Sequence, residues 1–208
     1  MIDKICEILT SKIRNEMTDI DDERAEVINY GMHLVIGEIP KTFVFLLIAY
    51  ILGIFKLFVL SFLLLLPYRC VSGGFHLKTH IGCIIGTTIF YCGNVYLSKY
   101  LIIQPEILRY ALIIVAWIFG MVMVKLYAPA DTENVPIVSK KERRKKQILS
   151  YIMLTLSLIV AVFIKDLVIS NLIVYGSVLQ SISISRLAYK LTNNKYGYEL
   201  YEMANNNA

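Results

Sequence analysis

The residues best suited to chemistry stand together in one stretch, Arg69-Cys-Val-Ser-Gly-Gly-Phe-His76-Leu-Lys-Thr-His80-Ile-Gly-Cys83. It offers a thiol, an imidazole, a glycine pair and two cations, set between long apolar runs. A cysteine nucleophile needs a nearby base, and histidine is the usual one. A free cysteine is also commonly just a small buried apolar residue, so the flanking residues decide. Gly73-Gly74 opens backbone conformations closed to other residues, which permits a sharp turn ahead of His76. Arg69, Lys78 and His76 supply positive potential that favours thiolate over thiol. Polar groups at a membrane boundary mark functional sites, and a substrate can reach this one.

Geometry sharpens that reading. Residues seven apart on an α-helix share a face but lie about 10.5 Å apart along the axis, too far for a thiol–imidazole hydrogen bond. The chain is therefore expected to bend between Gly73 and His80 and to start a new helix just before Cys83. The positive end of that helix would favour the thiolate. A zinc site is the chemical rival, because His76, His80 and Cys83 are spaced by four and three on one helical face. Leu77 stands where a general-base glutamate would be, and no fourth ligand is in view. No metal and no cofactor are expected, and His80 reads as a polar residue at a helix start.

The elements that position this cluster follow from composition. Of 208 residues, 57% are hydrophobic and 18% charged, and mean hydropathy is +0.61. Soluble domains run nearer half apolar and about a quarter charged, so the chain reads as an all-α integral membrane protein. Uncharged runs cover residues 42–55, 57–68, 79–98, 110–124, 147–164 and 167–185. A span needs roughly 17–25 residues. The third, fifth and sixth reach that length, and the fourth does if Arg109 and Lys125 snorkel. The first two, split by Lys56, form a tight hairpin, or the first extends backward through Pro40 and Glu38. About six transmembrane or membrane-embedded helices are expected.

Net charge is +5, and its placement matters more than its total. Lys140, Lys141, Arg143, Arg144, Lys145 and Lys146 crowd around Glu142. Such basic segments stay cytoplasmic and bind anionic lipid. Six crossings then put residues 69–78 and both termini on the cytoplasmic side. That face is reducing, so Cys6, Cys70, Cys83 and Cys92 are expected as thiols. No CxxC pair and no signal-peptide pattern are visible.

Residues 1–20 read as an amphipathic helix, with Ile2, Ile5, Leu9, Ile13 and Met17 recurring at helical spacing. It lies in the membrane interface or packs on the protein's own cytoplasmic face. Residues 21–190 form the polytopic domain, and 191–208 a flexible tail. Glu38 needs a partner near the membrane: Lys41 or Arg69 in an ion pair, or the histidine it would orient. Pro129 and Pro136 prevent residues 128–139 from forming one regular helix. The basic run is too short, and too close to apolar spans, to indicate nucleic acid.

The pattern Arg69-x4-Gly74-x-His76-x6-Cys83, with Tyr30-Gly31, Glu38-x-x-Lys41 and the later Tyr127-Ala-Pro-Ala-Asp-Thr-Glu-Asn-Val-Pro136-Ile before the basic run, resembles the AgrB family of bacterial membrane endopeptidases over roughly residues 25–190. The resemblance implies a cysteine peptidase of the cell membrane, multi-pass, with its site and both termini facing the cytoplasm. It also implies an AgrD-type propeptide as substrate, cut after its signal segment and cyclised to a thiolactone or lactone. In that setting Cys83 is the nucleophile and His76 its base. Arg69, Gly74, Lys78 and Glu38 support the site, and residues 140–146 attract the propeptide's acidic tail. Ser72, Glu38 and Asn94 are candidates for a third catalytic residue. The expected partners are the propeptide, the lipid bilayer and a second copy in a homodimer. The reading from another class is a non-enzymatic transporter or signalling partner, in which His76 and Cys83 line a polar pocket or merely pack.

Overall fold

The computed structural model describes residues 2–16, 21–77, 79–133 and 136–206, without the side chains of 2–5, 22–23, 26–27, 30, 33–34, 38 and 80. It divides into two compact units, Met1–Ile51 and Leu52–Ala208.

The first unit pairs α1 (Ile2–Glu16) with α2 (Asp22–Ile51). The expected amphipathic helix is present. Within its unit it packs on α2, burying Cys6 completely, with the Thr10 hydroxyl 3.4 Å from Asn29 Oδ1. Met17 lies outside the described residues. Helix α2 runs through Pro40, so the first apolar run does extend backward. The break after it falls at Gly53, whose φ of 68° suits glycine, and not at Lys56. Lys56 is exposed inside the next helix, where a long stem can carry its charge outward.

The second unit holds α3 (Phe55–Ser72), α4 (His80–Tyr100), α5 (Glu106–Tyr127), α6 (Lys140–Phe163), α7 (Leu167–Ser183), α8 (Arg186–Leu191) and α9 (Gly197–Asn206). Helices α3 to α6 are long and apolar enough to cross a membrane, and α7 is a shorter apolar helix. The chain is an all-α membrane protein.

Helix α7 is the axis. It packs against α3, α4, α5 and α6 and buries residues on every side. Such a helix needs small residues at its contacts. At Gly176 a Cβ would stand 2.6 Å from Leu65 and 2.8 Å from Asn94, and at Gly120 of α5 a Cβ would stand 2.6 Å from Leu154. Polar groups without water must bond one another. Asn94 accordingly donates to Ser61 Oγ at 2.8 Å and to the Leu172 carbonyl at 3.0 Å.

Two sets of connections close the bundle. At one end Asn171 and Tyr175 donate to the Leu101 carbonyl, and Arg109 to that of Ile164. At the other end the α3–α4 connection, the proline-containing segment and the residues after α7 meet. The described residues of 128–139 form no helix, and α6 starts at Lys140 with Ser139 Oγ accepting from Glu142 N–H. The basic run is therefore the first two turns of a spanning helix. Residues 191–208, expected as a flexible tail, carry α9. An ion pair links Arg186 to Glu199. Tyr196 stacks on Tyr189 with ring centroids 4.2 Å apart, and Tyr198 lies under Arg143.

Candidate active site

The expected bend is present. Helix α3 stops at Ser72 and α4 starts at His80, leaving His76 on non-helical backbone. Thr79 caps α4, its Oγ1 accepting from Gly82 N–H at 3.0 Å. Cys83 completes the first turn, its own N–H donating to the Thr79 carbonyl at 2.9 Å. His76 is off the helix, so the face that zinc would have used does not form. Lys78 and the His80 side chain lie outside the described residues.

The glycine pair makes the turn. Gly73 and Gly74 have φ of 75° and 142°, both in the region that favours glycine. A Cβ on Gly73 would stand 2.1 Å from the Ala130 carbonyl oxygen. The closeness comes from a parallel bridge: Ala130 N–H donates to Ser72 O at 2.8 Å, and Gly74 N–H donates to Ala130 O at 3.0 Å. At Gly74 a Cβ would meet Ser183 Oγ at 2.9 Å, with Arg69 and Gln180 3.7 Å away.

The Arg69 and Gln180 side chains and the Ser183 carbonyl hold the turn. Arg69 Nη1 donates to Gln180 Oε1 at 3.0 Å. Gln180 Nε2 donates to Ser72 Oγ at 2.9 Å and to the Gly73 carbonyl at 2.7 Å. Arg69 Nη2 makes a longer contact, 3.5 Å, to the Phe75 carbonyl, and its guanidinium faces the Phe90 ring. Phe75 N–H reaches the Ser183 carbonyl at 3.4 Å, and its ring joins the core.

On the other side of His76, Leu77 lies against α4. Its Cδ1 is 2.7 Å from where a Gly86 Cβ would be, and its Cβ is 3.4 Å from that of Gly82. His76 is thus exposed between two anchored neighbours, on a strap folded back onto the first turns of α4. Cys83 is half-buried there, while Cys6 and Cys92 are buried and Cys70 is exposed.

The other sequence candidates separate. Ser72 is buried and accepts from Gln180. Asn94 is buried about 16 Å along α4 from Cys83, where it joins helices. That separation keeps Asn94 from acid–base work at the thiol. Glu38 belongs to the first unit, and its side chain lies outside the described residues. Within the basic run, Lys140, Lys141, Arg144 and Lys145 are exposed and Lys146 is half-buried. Arg143 turns inward, its Nη1 3.1 Å from Asp131 Oδ2.

Sequence reasoning did not single out Gln180, Ser183, Asp131 or Tyr189. Tyr189 donates to the carbonyls of Ala130 (2.9 Å) and Asp131 (3.0 Å). Burial first, then the neighbouring Tyr196 and Asp131, push its hydroxyl well above the ordinary tyrosine range. The available signal was a glutamine and a series of serines inside the apolar run 167–185, since polar residues in such runs are retained for a reason.

The family model for accessory gene regulator B matches residues 6–184. The chain is 26% identical to an AgrB-like protein of Clostridium acetobutylicum over 94% of this chain and 91% of that one. It is 28% identical to one of Listeria innocua over 96% and 95%. With AgrB-like protein 2 of Clostridium perfringens it shares 30% over 78% and 76%. No solved structure gives a significant match. A match across most of the chain, on helices of membrane-spanning length, decides the matter: the chain belongs to the AgrB family, with a role in quorum-sensing peptide processing.

Proposed function

We propose that this protein is a membrane-embedded cysteine endopeptidase that removes the C-terminal tail of an AgrD-type propeptide and closes the remaining segment into a thiolactone or lactone. The observation that carries the reading is the strap: it takes His76 off the helix and folds its neighbour Leu77 onto the turns of α4 that bear Cys83.

The Cys83 thiolate attacks the scissile carbonyl. A C–S bond forms, the C–N bond breaks, and the His76 imidazolium gives its proton to the departing amine. The tail leaves and a thioester remains. An internal cysteine or serine of the signal segment then attacks that thioester, its proton passing to His76, and Cys83 departs as thiolate. Thioester exchange is nearly isoenergetic and needs no ATP. Cyclisation outpaces hydrolysis where water is kept from the acyl group, and a membrane boundary favours that. The basic start of α6 attracts the acidic tail. On this reading the basic run, the site and both termini face the cytoplasm, in line with the positive-inside rule.

The test is co-expression with the cognate propeptide and a gel shift of the substrate. Cys83→Ala and His76→Ala are expected to abolish cleavage with insertion intact, while Cys70→Ala and Cys92→Ala retain it. Full processing by Cys83→Ala would sink the assignment, as a transporter or signalling role predicts.

A further inference from the structure

We infer that Gln180 is a positioning residue of the peptide-processing site: from the centre of the bundle, its carboxamide holds the strap that presents His76 to Cys83. The inference rests on the roles of His76 and Cys83 proposed above.

Gln180 is completely buried near the end of α7. An apolar side chain would fill the same space without polar atoms to satisfy. Its three side-chain hydrogen bonds all go to one short stretch, to Arg69, Ser72 and Gly73. The chemistry of these partners fixes the amide's orientation. The guanidinium only donates, and the Gly73 carbonyl only accepts. The group between them must therefore accept from one and donate to the other. Among side chains with a double donor, only a carboxamide does both. Glutamate cannot donate to the carbonyl, and lysine or arginine cannot accept from Arg69. Asparagine is a methylene too short to keep the same reach.

The adjoining turn of α7 adds to the hold. Ser183 gives its carbonyl to Phe75 N–H, and its Oγ, which donates to the Gln180 carbonyl, sits against Gly74. Gly73 also follows the last turn of α3, where helical carbonyls lose their own partners. Gln180 thus satisfies the carbonyl of the residue that ends α3, and the next residues lead directly to His76. Loss of the amide leaves the guanidinium and the Gly73 carbonyl without this partner, and the side of the strap preceding His76 is then held by the backbone bonds to Ala130 and Ser183.

A double-mutant cycle on the intact protein in vesicles tests this, with iodoacetamide as probe and alkylation of Cys83 followed by mass spectrometry. Gln180→Met keeps the volume and removes the hydrogen bonds. It is expected to lower the Cys83 alkylation rate about as much as His76→Ala does, at least about ten-fold where a base normally contributes 10²–10⁴. The double variant should fall no further than either single one, because coupled residues are not additive. A purely structural role would give losses that multiply, or would lower the inserted amount while sparing the rate per molecule. Either result, or wild-type alkylation in Gln180→Met, overturns the inference. If Gln180→Met does not insert, Gln180→Glu, which keeps the bond from Arg69, replaces it in the same cycle with the same criteria. Cleavage of propeptide by Cys83→Ala would instead remove the catalytic reading itself, so the two failures are distinct.

Discussion

Arg143 and Asp131 are joined across the proline-containing segment at 3.1 Å, with 1% of the aspartate side chain and 22% of the arginine side chain exposed. The same Asp131 oxygen accepts from Ile137 N–H at 2.9 Å, and Arg143 Nη2 donates to the Pro129 carbonyl. One member of the basic run thus organises the fold, and the exposed ones remain available to solvent, lipid or peptide.

Removing one partner of such a pair strands a buried charge, which costs about 3–5 kcal/mol. Arg143→Ala is therefore expected to destabilise the inserted protein strongly. Adding Asp131→Asn should return part of the loss, because the stranded carboxylate is gone. Unfolding in mixed micelles measures both, and a double variant no more stable than Arg143→Ala would refute the pairing.

Charge reversal at Lys140, Lys141 and Arg144, which leaves Arg143 untouched, should slow propeptide processing. A basic tail on the substrate should restore part of the rate. The effect should shrink as salt rises, since exposed charges are screened beyond about 8–10 Å. A correctly inserted triple variant that processes at the wild-type rate would leave topology as the run's only role.

Gly73→Ala should insert yet lose processing. Its Cβ would collide with backbone at Ala130, which cannot rotate away, and its φ of 75° penalises any side chain. Wild-type cleavage by this variant would contradict the turn as described.

Tyr189 supplies a pH test. Its folded hydroxyl is raised above the ordinary value, so its contribution is fully present below about pH 10, the unperturbed tyrosine pKa. It is lost as pH rises through the higher folded value. Phenolate absorbance attributable to Tyr189, taken as the difference from Tyr189→Phe, should appear only well above pH 10. Normal titration near 10 would mean the hydroxyl is not buried beside Tyr196 and Asp131 as described.

The bend before Cys83 was legible because two adjacent glycines permit it and the seven-residue spacing of His76 and Cys83 is too long for contact along one helix. The interruption at 128–139 was legible because proline forbids a regular helix. Gln180 was not, because its meaning lies in partners more than a hundred positions away. Arg143 looked like its neighbours because six adjacent cations carry no sign of which one turns inward. The helical tail was hidden by its asparagines, whose local preference for turns yields to the packing of Tyr196 and Tyr198. The break at Gly53 was not read, because Lys56 divides the two uncharged runs whereas Gly53 lies inside the first of them.

The strap also sets an order of events in synthesis. Its fastenings are Ala130, Gln180 and Ser183, all made after His76 and Cys83 have left the ribosome. A nascent chain that ends before α7 contains His76, Cys83 and Ala130 but lacks Gln180 and Ser183. On the proposed roles of His76 and Cys83, the strap is therefore completed late, when α7 enters the bundle. Until then, on that reading, an unfinished chain in the membrane lacks the completed strap with which it would act on peptide.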